Sequence, residues 1–308
     1  MDLLATIYSF MADKHKAASR TSKRVKLLLK IAITTACLWY VAGKIDFAAA
    51  WTIIKNADST YLLLALLAFI FSKILAAIRL AIYFKNIDLF LSYWQNIKLY
   101  WLGMFYNLFL PGSIGGDAYK VILLKKKYNA SYKKTTAAVL LDRFSGLLGL
   151  GVIVAVYSSI ILDKDSYIIA ITGAAILAIV LLYFIVSRWL KEFIASYFPT
   201  LVLGILVQVC QVICAYLILA ALGINENANE YIFIFLTSSV VVVLPLTIGG
   251  IGIREFVFLE GSNWFGLSQE TSVVISLLFY LITVLTSAVG LVYVFNDPLP
   301  EKDINAFT

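Results

Sequence analysis

The hydrophobic residues of this chain fall in long runs separated by short polar stretches, many of them basic. A helix needs about 20 apolar residues to cross a bilayer core about 30 Å thick. Six runs approach or exceed that length: Lys26–Gly43, Tyr61–Phe84, Thr136–Leu162, Tyr167–Val186, Thr200–Leu222 and Thr271–Val294. The first is short, and Lys30 would snorkel from it to the interface. Two further runs do not fit the template. Ile97–Leu110 leads into Pro111-Gly112-Ser113-Ile114-Gly115-Gly116-Asp117, and Tyr231–Leu244 leads into Pro245-Leu246-Thr247-Ile248-Gly249-Gly250. Each is about 21 Å of helix, too short to cross, before proline and paired glycines stop it. A short apolar helix follows each break, so both read as re-entrant pairs.

The two breaks align with each other column by column, from Leu110 on Leu244 to Gly116 on Gly250, and a base follows each at the same distance, Lys120 and Arg254. The same offset carries the second run onto the fifth and the third onto the sixth. Three full spans separate the breaks, an odd number, so the second unit is inverted relative to the first. The expected fold is therefore an all-α polytopic membrane protein, with six full transmembrane helices and two re-entrant helix pairs in an inverted repeat. Its divisions are a basic cytosolic arm at 1–25, a membrane domain at 26–296 (repeat one 26–162, repeat two 167–296) and a short cytosolic tail at 297–308.

Composition agrees. Of 308 residues, 62% are hydrophobic and only 14% charged, with a mean hydropathy of +0.91. A soluble fold cannot hide that much apolar surface. The net charge of +7 does not point to nucleic acid, because its bases sit at the ends of apolar runs, where the positive-inside rule puts them. With both termini inside and the first break folded back, Lys120, Lys125, Lys126, Lys127, Lys133 and Lys134 all stay on the cytosolic side. A single histidine, His15, leaves no basis for a His-based catalytic or zinc centre. Cys37, Cys210 and Cys214 lie in apolar runs and read as small packing residues. No metal or cofactor is expected.

Breaking a helix inside a membrane frees backbone polar groups, which is tolerable only where protein or water covers them. Paired breaks in inverted repeats point to a transport site at the midplane. A helix that restarts after the glycines offers unpaired N–H groups and a partial positive charge, which suit phosphate. Lys73, Arg79, Asp142 and Arg143 are expected to face inward, since bare charge in lipid is costly. Expected pairs are Arg79 with Asp117 or Asp142, and Arg143 with Glu255. The candidate substrate-binding set is Arg79, Asn107, Ser113, Gly115, Gly116, Asp117, Lys120, Asp142, Arg143, Thr247, Gly249, Gly250, Arg254 and Glu255, with Pro111 and Pro245 as helix breaks. Tyr61, Trp94, Tyr100, Trp101, Tyr119, Trp189 and Trp264 read as an interfacial aromatic belt.

Three stretches, Asn107 to Lys120, Leu141-Asp142-Arg143-Phe144-Ser145-Gly146, and Pro245 to Glu255, together resemble the lysylphosphatidylglycerol synthase transmembrane region, or flippase-like domain family. The resemblance covers about residues 25–296. It implies bacterial or archaeal origin, residence in the cytoplasmic membrane, and flipping of a lipid, a role that in better-understood members accompanies a soluble aminoacyltransferase domain. The sequence ends soon after the sixth run, so the implied protein is a stand-alone translocase. Asp142 stands where the family pattern has Glu, and Lys120 where it has Arg, which keeps the charge but loses the bidentate fork. The expected partners are membrane lipids, anionic or phosphate-bearing, with no nucleic acid; homo-oligomers are compatible with the sequence. Two other readings stay open: a membrane-embedded lipid head-group transferase or phosphatase, and a small-solute or ion carrier. No nucleotide-binding motif is present to power transport.

Overall fold

The computed structural model describes residues 28–109, 115–244, 247 and 249–299. Among them the regular elements are all helical. Five helices are long and apolar enough to cross a membrane: α3 (Ser59–Lys85), α6 (Tyr132–Ile161), α7 (Asp165–Trp189), α8 (Tyr197–Ala221, entered through a 3-10 turn from Lys191) and α11 (Gln269–Ala288, prolonged through Val289–Leu291 into α12, Val292–Phe295).

The first expected span, Lys26–Gly43, is the exception. Helix α1 (Leu28–Ala42) turns through 87° into α2 (Phe47–Lys55), so that this crossing, if counted, is a bent pair. The turn has a local cause. Asp46 caps α2, its carboxylate accepting the N–H groups of Ala48 (2.8 Å) and Ala49 (3.2 Å), a helix start that interrupts α1.

The two short pairs are present as antiparallel hairpins. Helix α4 (Tyr93–Phe109) packs on α5 (Gly115–Tyr128), and α9 (Ala228–Val243) on α10 (Ile253–Phe265). At 13 to 17 residues each, these helices are about 20 to 25 Å long, short of a crossing.

Helices α3 and α8 run side by side in opposite directions through the centre. Asp58 N–H donates to the Ala221 carbonyl at one end (2.8 Å), and Tyr83 and Thr200 share a hydrogen bond at the other (2.7 Å). This pair fixes the sense of everything else. The α4/α5 hairpin enters at the end where α3 finishes, since Asn96 donates to the Ala77 carbonyl and Leu89 N–H to that of Phe84. The α9/α10 hairpin enters at the opposite end, where α8 finishes; there Tyr216 hydroxyl donates to Asn229 (2.6 Å). The end that receives α4/α5 gathers Lys85, Lys125, Lys126, Lys127, Arg188 and Lys191. At the other end the helix starts carry Asp58, Asp165, Glu230 and Glu270.

Buried apolar residues form two cores. One surrounds α9/α10 and contains Phe69, Ile218, Phe235, Phe258 and Phe279. The other surrounds α4/α5 and contains Leu80, Phe84, Leu99, Leu124, Phe193 and Leu299. Between Phe69 and Leu80, the buried positions of α3 are Ser72, Ala76, Ala77 and Arg79, so a polar layer separates the cores.

Candidate functional site

The first hairpin closes because its helices touch through glycine. A Cβ on Gly116 would lie 1.9 Å from the carbonyl oxygen of Gly103, a distance only glycine allows. Asn107 spans the gap between the helices. Its side-chain oxygen accepts the Gly116 N–H (2.9 Å), one of the orphan donors of the α5 start, and its amide donates to Asp117 (3.5 Å).

Asp117, on the first turn of α5, stands between two cations. It accepts from the Lys120 ammonium at 3.0 Å and from the Arg143 guanidinium of α6. The Lys120 ammonium also lies 4.8 Å over the Tyr100 ring. One residue before Arg143, Asp142 accepts from Arg79 of α3 at 2.7 Å, and both side chains are buried, Arg79 5% and Asp142 9% exposed. A second nitrogen of Arg79, Nη1, is buried without an acceptor. It lies 3.1 Å from where a Gly146 side chain would begin and 3.6 Å from that of Gly204, so two glycines make room for it.

The second hairpin turns through Gly249 (φ +62°), Gly250 (φ +83°) and Gly252 (φ +83°), left-handed backbone that favours glycine. Beyond the turn, the Glu255 carboxylate accepts the Gly252 N–H (2.7 Å) and the Ser276 hydroxyl (2.9 Å). Arg254 lies over the rings of Phe279 (4.8 Å) and Phe235 (6.0 Å), and its Nη1 is buried with no acceptor. Phe279 in turn stacks edge-on against Phe69, and the Lys73 ammonium lies 4.3 Å over Phe69. No carboxylate of the described residues is within 4.0 Å of Lys73 or Arg254.

The two hairpins meet. A side chain on Gly249 would begin 3.2 Å from the carbonyl oxygen of Leu108, one residue before the end of α4. Across the joint layer stand five cations (Lys73, Arg79, Lys120, Arg143, Arg254) and three carboxylates (Asp117, Asp142, Glu255), an excess of two positive charges.

Of the residues singled out from sequence, Arg79, Asn107, Gly116, Asp117, Lys120, Asp142 and Arg143 form one connected group, with Gly115 opening α5. Gly249, Gly250, Arg254 and Glu255 form the second, beside Thr247, which is buried. Pro111, Ser113 and Pro245 lie outside the described residues. One expected pair is corrected: Arg143 bonds Asp117, not Glu255, because Glu255 turns back on its own helix start and on Ser276. Asp142 and Arg143, about 100° apart on the helix, serve different partners. Two belt residues are also reassigned: Trp101 is buried and Tyr100 sits under Lys120. Gly103 and Gly204 are not among the residues singled out from sequence, and Gly146 is there only as the end of a motif; the close packing of all three is signalled by nothing but small residues on facing helices, which a sequence shows only once the partners are known.

Long apolar helices around two short opposed hairpins define a polytopic α-helical membrane protein. Within that class the chain belongs to the family of the lysylphosphatidylglycerol synthase TM region, whose model matches residues 27–290. The family is lipid-related. The chain is also 30% identical over 165 residues to a UPF0104 membrane protein of Pyrococcus horikoshii, an archaeon. That match takes in 52% of this chain and 48% of the relative, so it spans about half the length of each.

Proposed function

We propose that this protein moves a phosphate-bearing lipid, whether phospholipid, glycolipid or polyprenyl phosphate, between the leaflets of a bacterial or archaeal cytoplasmic membrane. The observation that carries the reading is the meeting of two hairpins from opposite ends, at Leu108 and Gly249, inside a layer with two more cations than carboxylates. A charged side chain at the centre of a membrane helix costs about 3 kcal/mol on insertion scales. Lys73 and Arg254 meet that cost without a carboxylate, and an anion bound between them would offset it. Their aromatic neighbours stabilise a cation without neutralising it, which leaves the charge available to a ligand.

The helix boundaries support an inverted repeat. Shifted by the interval from Pro111 to Pro245, α4 falls on 227–243 and α6 on 266–295, against α9 at Ala228–Val243 and α11 with α12 at 269–295. Shifted likewise, α3 falls on 193–219, against its antiparallel neighbour α8 at Tyr197–Ala221. We place the lysine-rich end in the cytosol, following the positive-inside rule, and take the two hairpins as re-entrant from opposite leaflets. The candidate residues bind the head group, Arg254 and Lys73 by charge and the α5 start by its N–H groups. The lipid tails stay in bilayer or in apolar grooves.

The test is leaflet exchange in reconstituted vesicles of phosphatidylcholine containing fluorescent phosphatidylglycerol, read by quenching the outer leaflet. Faster loss of the inner pool than in protein-free vesicles is expected, falling at least tenfold in Arg254→Gln. Exchange equal to that of protein-free vesicles, for phosphatidylglycerol, phosphatidic acid and a polyprenyl phosphate alike, would refute the reading.

A further inference from the structure

The long helix α7 is the odd one out. None of its most apolar stretch is buried, and along α7 only Val186 is. It packs chiefly on α6 and on the 3-10 turn that follows it. The space it leaves is open and apolar. Between α6 and α7 lies a groove of about 680 Å³, walled by Leu140, Leu147, Leu148, Ala174, Ala178 and Leu181. Toward the other end of α7 lies a second, of about 430 Å³, walled by Tyr167, Phe233, Val257 and Trp264. Ile171 lines both, so they adjoin. Together they follow α7 from Leu190 to Leu162, the whole of a 25-residue helix. At about 37 Å, that exceeds the thickness of the hydrocarbon core.

A third cleft, of about 310 Å³, opens beside the first groove and shares Leu147 with it. This one is polar. Arg143 and Gln208 line it, together with Gly146, Val242 and Val243, the last two at the end of α9 where the second break begins. Gln208 donates to the Gly146 carbonyl (3.3 Å). Behind Gly146 stands the buried Arg79, its Nη1 lacking an acceptor and pointing at the space a side chain would fill. A basic cleft thus adjoins an apolar track that reaches both leaflets.

We infer that α7 and the face it turns to the bundle carry the hydrocarbon chain of a phosphate-bearing lipid, while the phosphate passes through the cleft of Arg143, Gln208 and Gly146 on its way to the layer of Lys73 and Arg254. The inference rests on the translocase reading and adds where head and tail run. Charge selects the occupant, since the cleft offers the Arg143 guanidinium, with Arg79 buried behind it, and the groove offers no cation. Size selects it too. A Cβ built on Gly151 of α6 would lie 3.8 Å from that of Ala175 on α7, so the two helices approach closely at the floor of the groove and leave no room between them for another helix about 10 Å across.

The experiment uses the full chain in phosphatidylcholine vesicles containing phosphatidylglycerol with a diazirine at the chain end. After irradiation, labelled peptides are mapped by mass spectrometry. The expected result is labelling concentrated on the groove-facing residues of α6 and α7, cut at least fivefold by Ala178→Trp or Ile171→Trp, with the thermal midpoint in detergent unchanged. Arg143→Gln should lower labelling by the phosphatidylglycerol probe relative to a neutral diacylglycerol probe. Labelling spread evenly over all lipid-facing helices, or untouched by both tryptophan variants, overturns the proposal. So does efficient disulfide trapping between two copies through Ala178→Cys, which would make the groove an interface. Leaflet exchange in the same vesicles separates the two readings. Groove labelling without exchange keeps the lipid track and removes translocation; full exchange in both tryptophan variants removes the track and keeps translocation.

Discussion

The carbonyl oxygen of Leu108 and the Cα of Gly249 form the joint between two hairpins that enter from opposite ends of the molecule, so close that a side chain on Gly249 would begin 3.2 Å from that oxygen. Gly249 also has φ +62°, a conformation that costs an L-residue about 1 to 2 kcal/mol. Gly249→Ala is expected to lower stability by about 2 kcal/mol, strain and contact together, and Gly249→Val by more. Denaturant unfolding in detergent measures both. A stability change under about 0.5 kcal/mol for both, the range of ordinary surface substitutions, would show that the joint is not tight.

Two glycines in the first hairpin should respond differently. Alanine at Gly116 would drive a Cβ into the backbone of Gly103, which cannot yield, so Gly116→Ala should part α4 from α5 and sharply reduce the folded fraction. Alanine at Gly103 meets the end of the Lys120 side chain at 2.0 Å, which can swing aside. Gly103→Ala should therefore fold, yet lose the 3.0 Å contact of Lys120 with Asp117. Size-exclusion profiles and leaflet exchange, measured together, tell these cases apart; equal profiles for the two variants would contradict the geometry.

Arg79 and Asp142 make a buried pair, and breaking such a pair from one side is costly, about 3 to 5 kcal/mol, because a lone charge remains. Asp142→Asn is expected in that range. The double variant Arg79→Leu with Asp142→Leu should be milder, since no charge is stranded. A double-mutant cycle of Arg79→Leu and Asp142→Leu gives the coupling; a double variant as damaged as those two singles summed would mean the two do not act as a pair.

The C-terminal segment should be acid-sensitive. Burial tends to raise the pKa of Asp297, but the ammonium of Lys127 and the Leu299 N–H hold it below the usual carboxylate range. A depressed pKa means that the contact stabilises above the unfolded value of about 3.9 and is lost as pH falls through the lowered one. The pair is half exposed, so the effect is local and below about 1 kcal/mol. The protection factor of the Leu299 amide, buried in the core around α5, should fall below about pH 4 and stay level in Asp297→Asn.

Much of this was legible beforehand. Proline and paired glycines, at Pro111 and again at Pro245, located both hairpins, because helix interruption is a local property of those residues. That Arg79 would pair with Asp117 or Asp142 followed from one charge needing another, and the structure selects Asp142. What escaped depends on three-dimensional distance. Nothing near Arg143 in sequence distinguishes Asp117 from Glu255; the choice is made by α5 lying against α6 while Glu255 caps its own helix. The bend between α1 and α2 carried a local signal, Asp46 before Phe47-Ala48-Ala49-Ala50, just past Gly43, where the first apolar run ends. Lys73 read as one more inward charge, and only the neighbouring rings of Phe69 and Phe279 show that it has no carboxylate beside it.

Helices α6 and α8 touch at Gly149 and Gly204, where an added Cβ would lie 2.4 Å from main-chain carbon. A contact made by bare backbone has no rotamers to unlock and no side chains to disengage. Side chains link the same helices beside it, Gln208 to the Gly146 carbonyl and Tyr157 to Tyr216. The bare-backbone contact therefore sets how near α6, with Asp142 and Arg143, can lie to α8, and a large residue at either glycine would push that charged turn outward.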